Sequence, residues 1–199
     1  MKDTQFTSIR AVIFDMDGTL VRSDLDFDLI RREASVPEDI PMLEYLASAK
    51  DREKRKAREV LLRHENRAAQ EASLLPGTRH VLNQLRNHAI PLGLLTRNSR
   101  RSVDLVLEKF GLKLDMTVSR DDATPKPSPE PVRIMADNFG TTTEQTLVVG
   151  DYLFDIQAAR RAGARSAIVK TERNQEFRHL ADTTLDTLNE VLNLIGIQT

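Results

Sequence analysis

Apolar residues fall along this chain in short unbroken runs, separated by amphipathic stretches about ten residues long. Ile9 to Phe14 is continuous, apolar and partly β-branched, which predicts a strand buried on both faces. Pro91–Leu95, a short run around Met116–Val118, Thr146–Val149 and Ser166–Val169 predict further strands. Helices are predicted over Thr78–His88, over Ser102–Phe110 with Gly111 as its stop, over Leu153–Ala162 closed by Gly163, and over Leu185–Ile195. Ser128-Pro129 reads as an N-cap followed by proline at the first helical position, opening a helix that runs to Phe139. Strands alternating with helices of this length imply βαβ units, hence an α/β fold with a doubly wound parallel sheet and helices on both faces.

The pattern breaks once. From Leu20 to Leu75 the chain is helical and highly charged, with no strand-like run, and Pro37 and Pro41 punctuate it. Helices are predicted near Asp26–Ala34, near Met42–Ala49 and from about Asp51 to Ser73. On the last of these, Ala57, Leu61, Ala68, Ala72 and Leu75 share one face, and Asp51/Arg55 and Glu59/Arg63 can brace the exposed side. Pro76-Gly77 ends the stretch. The division is therefore a core of residues 1–20 and 76–199, carrying a small α-helical insert of residues 21–75.

Composition narrows the function classes. A chain of 199 residues, 40% hydrophobic and 30% charged, is ordinary for a globular domain with a modest insert. The absence of cysteine excludes disulfides, thiolate metal sites and cysteine nucleophiles, and with the polar Met1–Ser8 stretch it points to a reducing, cytoplasmic setting without a signal peptide. A net charge of -1 gives no global attraction to nucleic acid or anionic membranes. Lys50–Glu71 carries eight Lys/Arg and five Asp/Glu without interleaved aromatics, which reads as a solvated helix face rather than a nucleic-acid surface. The four histidines lack metal-ligand spacing. The expected partner is a small molecule, with a monomer or a homodimer equally compatible.

Four short motifs fall at the C-terminal ends of predicted strands, where open α/β sheets bind ligands. Asp15-Met16-Asp17-Gly18-Thr19 follows the first strand and aims two carboxylates at one small space. Leu94-Leu95-Thr96-Arg97-Asn98 carries a hydroxyl at a strand end. Lys126 lies in Pro125–Pro131, where four of seven residues are proline. Val149-Gly150-Asp151-Tyr152-Leu153-Phe154-Asp155 adds two acids four residues apart. Taken singly, each has a plainer reading: Lys126 in a rigid surface turn, Thr96 as a helix cap, Asp155 as a first-turn helix acid. Together, acids from two strands with one lysine and one threonine are the groups needed to bind Mg²⁺ and a phosphate at once, since a phosphate dianion would otherwise be repelled.

In this order and spacing the four motifs resemble the haloacid dehalogenase-like (HAD) hydrolase superfamily, over about Ile9–Leu20 and Pro76–Ile195. The insert directly after the first motif resembles the C1 helical cap of the phosphoglycolate phosphatase-like branch. The resemblance implies a Rossmann-like core and a Mg²⁺-dependent phosphatase acting on a small phosphorylated metabolite. It implies Asp15 as nucleophile forming an aspartyl-phosphate and Asp17 as general acid and base. It further implies Asp15, the Asp17 carbonyl and Asp151 around the metal, with Asp155 assisting directly or through water. Thr96 and Lys126 would bind phosphate and balance charge, and backbone N–H groups from Met16 onward and near Arg97 would complete the cradle. Where that branch often has Asp before Ser, this chain has Arg22-Ser23, so Arg22 either faces solvent at a hinge or meets an anionic leaving group. A phosphomutase of the same fold is the alternative. A dehalogenase is disfavoured by Asp17, and a scaffold protein on a retired enzyme fold by the intact motif set.

Overall fold

The computed structural model describes residues 6–198, so the first five residues of the polar N-terminal stretch lie outside the described residues. In chain order the elements are β1 (Ala11–Phe14), β2 (Val21–Arg22), α1 (Phe27–Ala34), α2 (Met42–Ser48), α3 (Asp51–Glu71), β3 (Ser73–Leu74), α4 (Thr78–Asn87) and β4 (Leu92–Leu95). There follow α5 (Arg100–Phe110), β5 (Met116–Val118), α6 (Glu130–Asn138), β6 (Thr146–Gly150), α7 (Leu153–Ala162), β7 (Arg165–Val169), β8 (Thr183–Leu185) and α8 (Glu190–Leu194). The main sheet has six strands in the order β5-β4-β1-β6-β7-β8, with every neighbouring pair parallel.

β1 lies between β4 and β6, and the chain builds one half of the sheet on β4 before crossing to β6. This reversal of winding direction opens a crevice at the carboxyl ends of the central strands. Successive β1 side chains enter opposite faces, as the strand pleat dictates. Val12 and Phe14 pack with Val81 and Leu85 of α4, Val103 of α5 and Leu192 of α8, whereas Ile13 packs with Met135 of α6 and Ala158 of α7. Burial on both faces explains the unbroken apolar run; each fully buried large side chain contributes about 1.5–3 kcal/mol.

The insert forms its own apolar cluster, in which Ile30 and Ala34 of α1 meet Met42 of α2 and Ala57, Val60 and Leu61 of α3. Its two ends are joined by an antiparallel ribbon, β2 on β3, pairing Val21 with Leu74 and Arg22 with Ser73. This ribbon corrects the expectation of no strand between Leu20 and Leu75; two-residue strands carry no periodicity for a sequence to display. It also shortens α3, because Ala72 turns to an extended backbone to enter β3. Ala57, Leu61 and Ala68 are buried on the helix face as expected, and Ala72 and Leu75 follow the helix end. Among the described residues Arg63 pairs with Glu33 of α1 rather than with Glu59, and Asp51 and Arg55 make no ion pair.

The chain's last segment is the second correction. The expected single helix from Leu185 is a sixth strand, β8, in which Leu185 is buried against Val169, followed by the short α8. The helix starts late because Glu190 accepts the N–H groups of Asp186 and Thr187, and Thr183 and Thr184 suit an extended strand. α6 begins one residue later than expected, at Glu130, whose N–H donates to Ser128 Oγ. Ser99 caps α5 through the Ser102 N–H, and α7 has the bounds read from the sequence. Among the described residues, no helix is long and apolar enough to cross a membrane.

Candidate active site

β1 ends at Phe14, and Asp15 still belongs to the sheet by its N–H, which donates to the Val149 carbonyl at 2.8 Å. The chain then coils tightly: the Met16 carbonyl accepts the N–H groups of both Leu20 and Val21, and Met16 itself is buried. Gly18 completes this coil at a φ of 78°, where a side chain is strained. A Cβ on Gly18 would lie 2.1 Å from Asp151 Oδ2, so the missing side chain is what admits the carboxylate at the end of β6. Gly150 does the same for the following helix, since its Cβ would lie 2.2 Å from Asp155 Cγ.

Two glycines thus let three acids converge. Carboxylate oxygens of Asp15, Asp151 and Asp155 lie within 4.8 Å of one another. Lys126 enters from the proline-rich loop, with Nζ 2.5 Å from Asp15 Oδ1 and 2.5 Å from Asp155 Oδ1. Its side chain is buried, so the rigid-surface-turn reading fails for it. Asp155 is likewise no solvated helix acid: it is buried, and its Oδ2 accepts the Tyr152 N–H at 3.1 Å. Asn174, fully buried, donates to the Asp151 carbonyl at 2.9 Å and fixes the turn that carries it.

Asp17 lies apart from this trio and is gripped at both oxygens. Asn98 Nδ2 donates to Oδ2 at 2.6 Å, and Ser23 Oγ donates to Oδ1. Thr96, at the end of β4, is buried; its N–H donates to the Val118 carbonyl and its Oγ1 accepts the Asn98 N–H at 3.2 Å. Arg97 reaches across the site mouth, its guanidinium 4.2 Å from the Phe154 ring centroid and donating to the Lys126 carbonyl. Arg22 is exposed on β2, and the structure gives it no polar contact with these residues.

The loop from Thr96 to Ser99 is clamped from behind by the insert. Glu65 of α3, 2% exposed, pairs with Arg120 and accepts the Ser99 N–H at 3.3 Å. Arg120 in turn donates to the Arg97 carbonyl at 3.0 Å, and its own N–H to the Asn98 carbonyl at 3.1 Å. Asn98, Ser23, Asn174, Glu65 and Arg120 are functional neighbours that sequence reading missed. Asn98 and Ser23 stand inside quoted motifs, two residues from Thr96 and one from Arg22; the others carry no local signal.

The electrostatics follow from crowding. Burial drives the Asp15 carboxyl well above the usual range, the Lys126 ammonium opposing and the charges of Asp155, Asp151 and Asp17 adding to it. Asp151 is pushed up to about 7, by burial first and by Asp155 second, again against Lys126. Burial works against the Lys126 charge, but Asp15 and Asp155 outweigh it and hold the ammonium protonated. Asp17 is raised by burial, with Ser23 and Asn98 pulling the other way. Three carboxylates around one ammonium leave an excess of negative charge, and an all-oxygen donor set of this span fits a hard divalent cation.

The haloacid dehalogenase-like hydrolase family matches residues 30–169. A haloacid dehalogenase-like hydrolase domain-containing protein of Arabidopsis thaliana is 28% identical, covering 95% of this chain and 84% of its own length. The pyrophosphatase PpaX of Oceanobacillus iheyensis is 26% identical over 95% of this chain and 98% of that protein. A phosphoglycolate phosphatase of Escherichia coli O157:H7 is also 26% identical, over 98% of this chain and 95% of that protein. Among solved structures, a HAD-superfamily hydrolase of subfamily IA from Geobacter sulfurreducens superposes with a TM-score of 0.67 at 25% identity, covering 96% of this chain and 99% of that one. The parallel sheet, the acids at its carboxyl edge and these matches agree, and the chain belongs to the haloacid dehalogenase-like hydrolases.

Proposed function

We propose that this hydrolase is a Mg²⁺-dependent phosphomonoester phosphatase that works through an aspartyl-phosphate on Asp15. The observation that carries the reading is the contact of Lys126 Nζ with Asp15 inside a trio of acids. A nucleophilic carboxylate facing a phosphate dianion needs both an ammonium and a cation beside it. Asp15 Oδ1 is engaged by Lys126, while Oδ2 has no hydrogen bond to the described residues and is the oxygen available to attack. Asp15, Asp151, Asp155 and the Asp17 carbonyl would hold Mg²⁺, which when bound neutralises and orients the phosphate.

The two displacements then divide among the chain's own groups. Asp15 forms a bond to phosphorus as the ester P–O bond breaks, and Asp17 delivers its proton to the departing alkoxide. The burial that raises the Asp17 pKa is what lets it arrive protonated. In the second step Asp17 takes a proton from water, whose oxygen attacks phosphorus and releases Asp15. Thr96 and the backbone N–H groups after Asp15 would bind the phosphoryl oxygens. Residues 21–75 would act as a cap over the leaving group, consistent with an apolar cluster of their own and with the ribbon β2–β3 joining both ends to the core. The phosphoglycolate phosphatase and pyrophosphatase among the relatives support a small, highly charged substrate.

The test is phosphate release from a panel of phosphorylated metabolites with Mg²⁺. Asp15→Asn should abolish turnover, and a chelator should suppress the wild-type rate. An Asn variant with equal turnover would remove Asp15 as nucleophile. Isomerisation without phosphate release would favour the mutase alternative.

A further inference from the structure

Arg97 is held by three partners at the mouth of the site, and one of them is exchangeable. The Phe154 ring and the Lys126 carbonyl belong to the core loops that carry the acids and the ammonium. The third partner is Glu44 of α2, in the insert, whose two carboxylate oxygens accept from Arg97 Nη2 at 2.8 and 3.0 Å. The Glu44 side chain is 41% exposed. Another tie from insert to site, Glu65 to Arg120, is sealed, with side-chain exposures of 2% and 9%.

That contrast decides which tie can open. A buried pair, once broken, strands an uncompensated charge. An exposed pair contributes little and exchanges its partner readily. α2 is anchored by Met42 in the insert's apolar cluster, and its Leu43, Leu46 and Ala47 line, with Arg120 and Pro125, an open pocket of about 210 Å³. Glu44, being exposed, can therefore withdraw without unpacking the insert, while the Phe154 ring and the Lys126 carbonyl still hold the guanidinium beside the loops that carry the acids.

We infer that Arg97 is a specificity-determining residue that binds an oxyanion on the leaving-group part of the substrate, and that Glu44 is the internal carboxylate this oxyanion displaces. The inference rests on the phosphatase reading and names its substrate class: phosphomonoesters whose alcohol carries a carboxylate or a further phosphate. The planar guanidinium matches either oxyanion through paired N–H donors. It places the anion contact on Arg97 rather than on the exposed Arg22.

The test compares wild type, Arg97→Gln, Arg97→Lys and Glu44→Gln with Mg²⁺ present. The probes are phosphoglycolate, ethanediol bisphosphate and, as the neutral control, 2-hydroxyethyl phosphate. Arg97→Gln should raise KM for the favoured anionic ester about tenfold or more relative to its effect on the neutral ester. Arg97→Lys should recover part of the loss. Glu44→Gln should move the same ratio in the opposite direction, because it removes the competitor. A purely structural latch would make both variants worse, and equally so for all three esters; that pattern overturns the inference. Calorimetric binding of the same esters separates it from the phosphatase reading. Opposite shifts in affinity without turnover would sustain Arg97 and remove the hydrolase, whereas turnover without opposite shifts would do the reverse. Neither binding nor turnover for any ester would sink both.

Discussion

Asp151→Asn should make the metal-free protein more stable while destroying its response to Mg²⁺. Asp151 shares a space with Asp15 and Asp155 in which carboxylate oxygens are within 4.8 Å. At an effective dielectric of about 20, two like charges at that separation cost about 3.5 kcal/mol. The displacement of the Asp151 carboxyl from 3.8 to about 7, by burial and then by Asp155, corresponds to about 4 kcal/mol of disfavoured ionisation. The two figures agree in scale, with Lys126 offsetting part of the repulsion. An amide of the same shape removes the charge and can donate to the neighbouring carboxylates. For a protein of this size each kcal/mol moves Tm by about 2–4 °C, so a gain of about 8 °C or more is expected in chelator at pH 8. The sign with pH follows from a folded-state pKa above the unfolded one. The Asp151 contribution costs wild type nothing below about pH 4 and is felt in full once pH has risen through about 7, so the gap to the variant should open over that interval. Adding Mg²⁺ should reverse the order, because a ligand that binds the folded state stabilises it. Thermal unfolding from pH 4.5 to 8.5, with chelator and with Mg²⁺, reads all of this. A variant no more stable than wild type in chelator at pH 8, or a gap independent of pH, would refute the reasoning.

Gly18→Ala should cost about 2–4 kcal/mol and abolish turnover, since its Cβ adds strain at positive φ and pushes into Asp151 Oδ2; combining it with Asp151→Ala should recover most of the stability loss but none of the activity. Arg120→Met leaves Glu65 buried and unpaired, and should lower stability by about 3–5 kcal/mol in chemical denaturation, with kcat falling because the Thr96–Ser99 loop loses its clamp. Ser99→Ala removes the α5 cap and should cost about 1 kcal/mol by the same measurement.

The sequence alone determined the parallel α/β architecture, because a strand buried on both faces must be an apolar run and a crossover helix must be amphipathic. It also singled out Asp15, Lys126, Asp151 and Asp155, which the fold brings into contact, because strand-end motifs are compact and strand pairing sets them side by side. What it could not carry was anything resting on contact across distant segments. The bond from Asn98 to Asp17 spans 81 positions, and Glu65 to Arg120 spans 55. β8 and the ribbon β2–β3 are two or three residues long, too short for a period, and exist because a neighbouring strand offers them hydrogen bonds. Arg22 drew notice as an unusual residue in a motif, yet whether a side chain meets the site depends on which face of a strand it occupies, and Arg22 lies on the exposed one. Arg97 gained Glu44 as a partner only when α2 folded beside it, 53 positions away in sequence. Local chemistry is written in order along the chain; charge balance, clamping and the choice of leaving group arise from what folding sets side by side.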